Sequence, residues 1–178
     1  MINDIKKISL SVEQIENICK RLGQQISKDY EGKEPVFIGL LKGCNPFMMD
    51  LLKEVTIRCS LDYLDVSSYN GTASTGVVVL HKDFRTDVKG KDVIIIDDIL
   101  DSGRTLQEVK KLILKRGAKS IKLCVLLDKP VGRVVDFEGD FVGGLVPNEF
   151  VVGYGIDNNE KYRNLPIIGV LKEEIYSE

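Results

Sequence analysis

Carboxylates, hydroxyls and a glycine lie within a few positions of one another between Val93 and Leu106. Asp97 and Asp98 directly follow a β-branched apolar run, and Asp101 comes three residues later. Acids packed this closely repel each other unless something positive binds between them. Two neighbouring carboxylates can hold both hydroxyls of a ribose, or sit beside a hard divalent cation such as Mg²⁺. The string therefore predicts a site for a sugar, a magnesium ion or both.

The residues after Asp101 are those of a phosphate-binding loop. They are Ser102, Gly103, Arg104 and Thr105, and an amphipathic helical pattern begins with them. Free backbone amides at a helix N-terminus, together with the helix dipole, favour an anion. Each feature alone has an ordinary structural explanation, since Asp101 could cap the helix and an isolated Asp pair is often only a strand end. The whole ordered string gains nothing for stability, so it favours a sugar-phosphate site.

Apolar periodicity predicts the elements that position this string. Ser11 to Gln14 has the form of a capping box and starts an amphipathic helix. Pro35 to Leu41 is predicted to be a buried strand, and a second helix is expected from Asn45-Pro46 to about Glu54. Val55 to Tyr69 alternates between apolar and polar residues and is predicted to be a strand.

The second half of the chain continues the alternation of predicted strands and helices. Val77 to Leu80 and Val93 to Ile96 are predicted strands, and the second is apolar throughout, as in a central parallel strand covered on both faces. A helical stripe from Leu106 to Ile113 ends at Gly117, and Ile121 to Leu127 returns as a strand. The alternation predicts an α/β domain with right-handed crossovers. Ligands of such sheets bind at the carboxyl ends of the strands, which is where Asp97 and Asp98 fall.

Composition narrows the class of protein. The chain has 178 residues, of which 43% are hydrophobic and 29% charged, with a formal net charge of -2. This balance is typical of one globular domain and does not favour nucleic acid or a membrane surface as a partner. The N-terminal residues do not resemble a secretory signal, and no apolar run has membrane-spanning length.

The cysteines indicate a reducing compartment. They are Cys19, Cys44, Cys59 and Cys124. Because they are far apart and form no CxxC pair, they are interpreted as buried thiols of a cytoplasmic protein and not as a disulfide framework or a zinc site. The lone His81 cannot make a histidine-rich metal site.

The string from Val93 to Leu106 resembles the phosphoribosyl pyrophosphate motif of type I phosphoribosyltransferases. Other segments are similar to those of the hypoxanthine-guanine members of this family. Leu40-Leu41-Lys42-Gly43 resembles their pyrophosphate loop, and Ser67-Ser68-Tyr69 with the polar loop 70–76 resembles their flexible catalytic lid. Segments 126–130, 150–157 and 161–166 resemble their purine-recognition region. The likeness runs from about residue 35 to residue 170.

The resemblance implies a fold and an activity. The fold would be one phosphoribosyltransferase domain over residues 1–178, with a central, mostly parallel sheet flanked by helices over about 35–130. A small hood would come from the N-terminal segment and about 129–170. The activity would be purine salvage, with magnesium-dependent transfer of the 5-phosphoribosyl group from phosphoribosyl pyrophosphate to hypoxanthine or guanine. The products would be IMP or GMP and pyrophosphate, and the assembly a homodimer or homotetramer.

The resemblance also implies roles for residues around the ribose and the phosphates. Asp97 and Asp98 would face the ribose hydroxyls and, with Asp157, influence the bound Mg²⁺. Asp101 would be the general acid or base at purine nitrogen 7. The 5-phosphate would be held by Ser102, Gly103, Arg104 and Thr105. Pyrophosphate and the lid would involve Lys42, Gly43, Arg163, Ser68 and Tyr69. From the residues alone, an ordinary turn is the favoured interpretation of Lys42-Gly43, and Asp157 and Arg163 are interpreted as surface charges. The isomer of the Leu41–Lys42 peptide stays open.

Recognition of the base would fall to three residues. Lys129 would donate to the oxygen at purine position 6, which explains a preference for oxopurines over adenine. Phe150 would stack on the base, and the Val151 backbone would meet its position 2 edge. The alternatives are a solvated Lys129 and a plain buried strand at Phe-Val-Val.

Other functions remain open at this point. Hypoxanthine-guanine enzymes usually begin the acidic pair with Glu, whereas this chain has Asp97, and Asp-Asp is common in orotate, adenine and xanthine relatives. A xanthine-preferring 6-oxopurine enzyme is therefore one alternative. A regulator with this fold that binds nucleotide or RNA is another, although Asp101 and the near-neutral charge count against it. A phosphoribosyl pyrophosphate synthetase would need a longer, duplicated chain.

Overall fold

The computed structural model describes residues 1–68 and 78–177. The strands are β1 (Ile5–Leu10), β2 (Val36–Leu41), β3 (Ser60–Ser68), β4 (Val78–Lys82), β5 (Asp92–Leu100), β6 (Ser120–Asp128), β7 (Phe141–Leu145), β8 (Val151–Val152) and β9 (Ile168–Leu171). The helices are α1 (Val12–Asp29), α2 (Asn45–Lys53), α3 (Arg104–Lys115) and α4 (Glu173–Tyr176). No helix in this part of the chain is long and apolar enough to cross a membrane.

A six-stranded sheet with the order β4-β3-β2-β5-β6-β7 forms the centre of the fold. Every neighbouring pair in it is parallel except β3 and β4, which are antiparallel. The apolar run Val93 to Ile96 of β5 lies in the middle and is fully buried. Its burial on both faces is what a continuous β-branched run in a parallel sheet predicts. The α/β class and the mostly parallel sheet are thus confirmed.

Helices cover both faces of this sheet and divide the core in two. On one face α1 and α2 bury Leu22, Ile26 and Phe47 against the sheet, and on the other α3 buries Val109 and Ile113. Fully burying an aliphatic side chain of this size contributes about 1.5–3 kcal/mol. Because both layers pack on β5, that strand and the residues at its carboxyl end are held from two sides.

A second, antiparallel sheet with the order β1-β9-β8 joins the N-terminal strand to the last third of the chain. Its small core includes Val152, Leu165 and Leu171. The sheet fixes the segment after β8, because Gly153, Tyr154 and Gly155 pair through their amides with the stretch up to Leu165. Residues 153–163 are thereby folded back toward β2 and α2.

Several predicted elements are confirmed, and three strand boundaries are wrong. Ser11 forms the expected capping box with Gln14, and α3 ends before Gly117, which has a positive φ of 88°. The strand expected from Val55 begins only at Ser60, because β2, its parallel partner, begins at Val36 and Val36 pairs with Ser60. The strand expected to end at Ile96 continues to Leu100, since β6 pairs with it as far as Asp128. The strand expected to end at Leu80 continues to Lys82.

One cysteine also departs from expectation. Cys19, Cys44 and Cys124 are buried, but Cys59 is exposed, since it precedes β3 and lies outside the sheet. All four are free thiols. The predicted lid, with Tyr69 and residues 70–76, lies outside the described residues.

Candidate active site

A cavity of about 530 Å³ opens at the carboxyl ends of β2 and β5. It is lined by Leu40, Leu41, Val66, Asp97, Asp98, Ile99, Asp101, Ser102, Gly103, Thr105, Leu106, Ile156 and Asp157. Seven of the predicted site residues thus surround one space, although Asp157 lies more than fifty positions from the others in the chain. The parallel order of β2 and β5 explains this, because both strands end at the same edge of the sheet.

The half-buried pair Asp97 and Asp98 forms the floor on the β5 side. Each carboxylate accepts a hydrogen bond from the next backbone amide, Asp97 from Asp98 at 3.0 Å and Asp98 from Ile99 at 2.7 Å. Burial raises the pKa of Asp97 well above that of an ordinary carboxyl, and the neighbouring charge of Asp98 raises it further. Burial also raises the pKa of Asp98, although hydrogen bonds and the charge of Arg163 offset part of the effect. A bound cation, or hydroxyl groups that donate hydrogen bonds, would offset the free-energy cost of keeping both carboxylates ionised.

Asp101 projects into the cavity from the turn between β5 and α3. Its side chain does not cap the helix, because the N-cap is Gly103 and no side chain caps it. The carboxylate lies so close to Gly132 that a Cβ on that glycine would collide with Oδ1. The Asp101 carbonyl accepts a hydrogen bond of 2.9 Å from Arg133 Nε. Asp101 therefore has an exposed carboxylate on an anchored backbone.

Arg133 is a residue that sequence reasoning missed. Its guanidinium is largely buried and donates to the carbonyls of Asp101, Leu100 and Phe137, and it forms an ion pair with Asp128. It therefore ties the end of β5 to the end of β6 beneath the turn. An arginine after a glycine gave no signal of this in the sequence, because two of these carbonyls lie about thirty positions away.

The turn 101–105 presents open amides, as predicted. Gly103 has a φ of 79°, a left-handed conformation that glycine adopts without cost. The amides of Ser102, Gly103 and Thr105 donate to no described residue, and that of Arg104 contacts only Ser102 Oγ, at 3.5 Å. With the N-terminus of α3 behind them, these donors face the cavity and suit an anion such as phosphate.

The loop after β2 lies across the cavity from this turn. The Leu41–Lys42 peptide is cis, which answers the question that the sequence left open. Gly43 is buried, and a Cβ there would collide with the Asp98 carboxylate. Lys42 extends outward, and its Nζ lies 2.8 Å from Oε2 of Glu160. The loop is thus more than an ordinary turn, because it packs directly on the acidic pair.

Asp157 and Arg163 form an ion pair with each other. Arg163 Nη2 lies 3.0 Å from Asp157 Oδ1 and 3.0 Å from Glu160 Oε1, while Nη1 donates to the Gly155 carbonyl. Arg163 Nε is buried and has no acceptor among the described residues. A buried donor without an acceptor is costly, which points to a ligand atom or water there.

The predicted base-recognition residues lie apart from the cavity lining. Phe150 is 38% exposed, so it is not part of a plain buried strand. Its ring stacks on Tyr176 at 4.7 Å between centroids. Val151 is buried in β8, where it pairs with Val170. Lys129 is half-buried, its amide donates to Leu100, and its ammonium contacts no acceptor in the described chain. Ser68 ends β3, and Tyr69 is not described.

The carboxylate oxygens at the cavity are suitable ligands for a magnesium ion that the substrate also helps to hold. Asp97 and Asp98 offer hard oxygen atoms and form no ion pair with any described residue. Among those residues no three acidic, histidine or cysteine side chains form a ready metal cage. Mg²⁺ is commonly bound by one or two carboxylates, with water and substrate phosphates completing the shell. The site suits that mode of binding.

A parallel α/β sheet with acids and open amides at its carboxyl edge is the architecture of proteins that bind sugar phosphates. Residues 11–159 match the family model for the phosphoribosyl transferase domain, and the chain belongs to that family.

Named relatives agree with this assignment. The chain is 50% identical to the hypoxanthine-guanine phosphoribosyltransferase of Streptococcus pneumoniae over 98% of both proteins. It is 54% identical to the bifunctional protein TilS/HprT of Listeria monocytogenes, of which it spans only 28% while matching over 100% of its own length. A crystal structure of a hypoxanthine phosphoribosyltransferase from Staphylococcus aureus superposes with a TM-score of 0.97 at 50% identity, covering 100% of this chain and 97% of that one.

Proposed function

We propose that this protein is a magnesium-dependent purine phosphoribosyltransferase of the salvage type. It transfers the 5-phosphoribosyl group of phosphoribosyl pyrophosphate to hypoxanthine or guanine and forms IMP or GMP with release of pyrophosphate. The observation that carries the proposal is one cavity that holds Asp97, Asp98 and Asp101 beside the open amides of residues 102–105. The names of the relatives from Streptococcus and Staphylococcus support the same activity.

The proposed binding mode places the sugar phosphate along the turn after β5. The open amides of Ser102, Gly103 and Thr105, with Arg104, hold the 5-phosphate, and Asp97 and Asp98 accept hydrogen bonds from the ribose hydroxyls. Lys42, Gly43 and Arg163 hold the pyrophosphate. Asp97, Asp98 and Asp157 would hold Mg²⁺ together with the substrate phosphates, and the ion would supply positive charge beside the pyrophosphate.

The proposed chemistry is a displacement at the anomeric carbon. Purine nitrogen 9 attacks as pyrophosphate leaves, and the transition state resembles an oxocarbenium ion. Asp101 acts as the general acid or base at purine nitrogen 7, and its exposed carboxylate is free for this role. Lys129 donates to the oxygen at position 6, Phe150 stacks on the base and the Val151 backbone meets its position 2 edge. Ser68 and Tyr69 belong to the lid that excludes water.

The proposed organisation is one domain over 1–178 in a cytoplasmic homodimer or homotetramer. The core is about 35–130, and the antiparallel sheet with about 129–170 forms a hood that carries the base-recognition residues. Sedimentation equilibrium distinguishes the two assemblies, and a monomer at micromolar concentration would contradict both.

The test is nucleotide formation by the purified protein with phosphoribosyl pyrophosphate and Mg²⁺. Hypoxanthine, guanine, xanthine and adenine are offered separately, so the assay also ranks the bases and decides the xanthine-preferring alternative. Asp101→Ala should reduce kcat by about 10²- to 10⁴-fold, the usual contribution of a general acid or base. Asp29→Ala, at the exposed end of α1, is the matched control and should retain full activity. Nucleotide binding without turnover of any base would instead favour a regulator.

A further inference from the structure

Glu160 bridges the two cations assigned to the pyrophosphate. Its Oε2 lies 2.8 Å from Lys42 Nζ, and its Oε1 lies 3.0 Å from Arg163 Nη2. Lys42 belongs to the loop after β2 and Arg163 to the segment between β8 and β9, so the carboxylate joins two segments whose residues Leu41 and Asp157 line the cavity. Each carboxylate oxygen has one cationic partner, as two oxygens of a bound phosphate group would.

The backbone holds Glu160 at this place. Asn158 and Lys161 exchange hydrogen bonds across a tight turn whose two central residues, Asn159 and Glu160, have positive φ values of 51° and 64°. Such turns favour Asn and Gly, and a glutamate there is disfavoured. The Glu160 amide also donates to Asp157 Oδ2 at 2.8 Å. The local conformation is thus fixed by neighbours and not by the preference of glutamate itself.

Stability does not explain the bridge. The side chains of Lys42 and Glu160 are 59% and 63% exposed, and ion pairs this open contribute little to folding. The hydrogen bond from Lys42, followed by that from Arg163, lowers the pKa of Glu160, so its carboxylate is charged at neutral pH. The main effect of this charge is therefore on anions that approach the same cations.

We propose that Glu160 is a positioning residue that competes internally with pyrophosphate for Lys42 and Arg163. This inference rests on the proposed function, which assigns those two cations to the pyrophosphate. In the free enzyme the carboxylate of Glu160 pairs with both cations. When phosphoribosyl pyrophosphate binds, its phosphates displace the carboxylate, and when pyrophosphate forms, the returning carboxylate promotes its release. Arg163 Nε, which Glu160 does not engage, remains available to the ligand throughout.

The test compares Glu160→Gln with Glu149→Gln. Glu149 forms an ion pair with Lys7 at 3.1 Å, with its own side chain 29% exposed, and neither residue lines the cavity, so its variant removes the same charge from a lysine ion pair elsewhere. Calorimetry with inorganic pyrophosphate and Mg²⁺ gives Kd, and initial rates give KM for phosphoribosyl pyrophosphate and for hypoxanthine. Glu160→Gln should lower the pyrophosphate Kd by about three- to tenfold, the effect of removing one or two screened charge contacts.

The expected pattern separates competition from simple structural support. In Glu160→Gln the KM for phosphoribosyl pyrophosphate should fall together with the pyrophosphate Kd, while the KM for hypoxanthine stays unchanged. The difference from wild type should shrink in high salt, because salt screens exposed charges. Glu149→Gln should match wild type in every measurement.

Two failures are distinguishable. If wild type neither binds pyrophosphate nor turns over phosphoribosyl pyrophosphate, the proposed function fails. If wild type does both and Glu160→Gln binds pyrophosphate equally or more weakly, Glu160 only supports Lys42 and Arg163, and the competition is overturned. Glu160→Ala, checked by circular dichroism for retention of the fold, should change the pyrophosphate Kd in the same direction as Glu160→Gln.

Discussion

Single atoms decide how the acids of this site are placed. Gly43 and Gly132 lie where a Cβ would collide with the carboxylates of Asp98 and Asp101, respectively. Neither glycine has a positive φ, so the backbone conformation does not require glycine there. The requirement comes from the neighbouring carboxylate. The placement of the acids therefore depends on the absence of a Cβ at Gly43 and Gly132 as much as on the acids themselves.

The substitution Gly132→Ala tests this dependence at Asp101. The new methyl group should push the carboxylate out of its present position. If Asp101 acts on purine nitrogen 7 as proposed, kcat should fall by about tenfold or more, because small misplacements of a reacting group are costly. Thermal stability should change little, since the Asp101 side chain is exposed and can rotate away. Gly144→Ala is the control, because a Cβ there meets no atom within 4 Å. Equal activity of the two variants would show that the position of Asp101 does not limit turnover.

At the scale of elements, charged side chains hold the turns at the edge of the sheet. Arg133 binds carbonyls of the turn after β5 together with Asp128 at the end of β6. Asp62 of β3 binds the segment after β4, accepting hydrogen bonds from the amides of Arg85 and Thr86 and from the Thr86 hydroxyl. The hydrogen bonds of Arg133 and Asp62 thus hold segments that directly follow a strand.

Arg133→Lys should destabilise the protein by about 1–3 kcal/mol, because a lysine cannot serve several carbonyls and Asp128 at once and leaves buried acceptors unpaired. Turnover should fall as well, since the backbone of Asp101 loses its anchor. Urea denaturation measures the first effect and initial rates the second. Arg58→Lys is the control, as the Arg58 side chain is 92% exposed and lies 3.9 Å from Glu34. If Arg133→Lys proved as stable as this control, the proposed role of the guanidinium would be contradicted.

Asp62 should make stability depend on pH. Burial opposes its ionisation, but hydrogen bonds from Thr86, Tyr63 and Arg85 outweigh burial and lower the pKa of Asp62 to about 2. Because the folded pKa lies below the unfolded value of about 4, the carboxylate stabilises the fold above pH 4, and the stabilisation is lost as pH falls through about 2.

The substitution Asp62→Asn removes this charge while keeping the shape of the side chain. At pH 7 it should cost up to about 2 kcal/mol of unfolding free energy. The difference from wild type should narrow below pH 4 and vanish only below pH 2, as urea denaturation at each pH would show. Asp29→Asn, at the exposed end of α1, should leave the profile unchanged. A difference that stays constant with pH would assign the effect to packing.

At the scale of the whole molecule, ligand binding should couple to folding. The cavity lies between the six-stranded sheet and the segment that follows β8. A bound ligand would therefore contact residues of the central sheet and residues of that segment at once. A ligand at one hundred times its Kd stabilises the native state by about 2.7 kcal/mol. For a chain of 178 residues this corresponds to a rise in Tm of roughly 5–10 °C.

Phosphoribosyl pyrophosphate with Mg²⁺ should therefore raise Tm by that amount in differential scanning fluorimetry. The same ligand with excess chelator should raise it much less, because the phosphates then lack the cation that balances the acids. Mg²⁺ alone is the control and should have a small effect, since the described residues form no complete metal cage. An undiminished rise in chelator would mean that binding does not need the metal.

The sequence alone predicted α1, α2, α3 and five of the six strands of the central sheet, together with the turn 101–105, but it did not predict β1, β7, β9 or α4. Helical periodicity, the capping box at Ser11 and the buried run at Val93 are local patterns, and local sterics and burial decide them. The order of strands and helices then implied the parallel sheet, and with it the edge at which Asp97, Asp98 and Asp101 meet. Strand limits did not follow from these patterns, because β3 and β5 begin and end where their partners do.

Only the tertiary structure decided which distant residues join that edge. The ion pairs of Glu160 with Lys42 and Arg163, and the anchoring of Asp101 by Arg133, span from three to more than a hundred positions in the chain. Their partners include main-chain carbonyls, which every residue carries and which no pattern of side chains reveals. The close approach of Gly132 to the Asp101 carboxylate is likewise a matter of ångströms, set by how two loops pack. Local patterns specify the parts of the site, and long-range packing specifies its electrostatics.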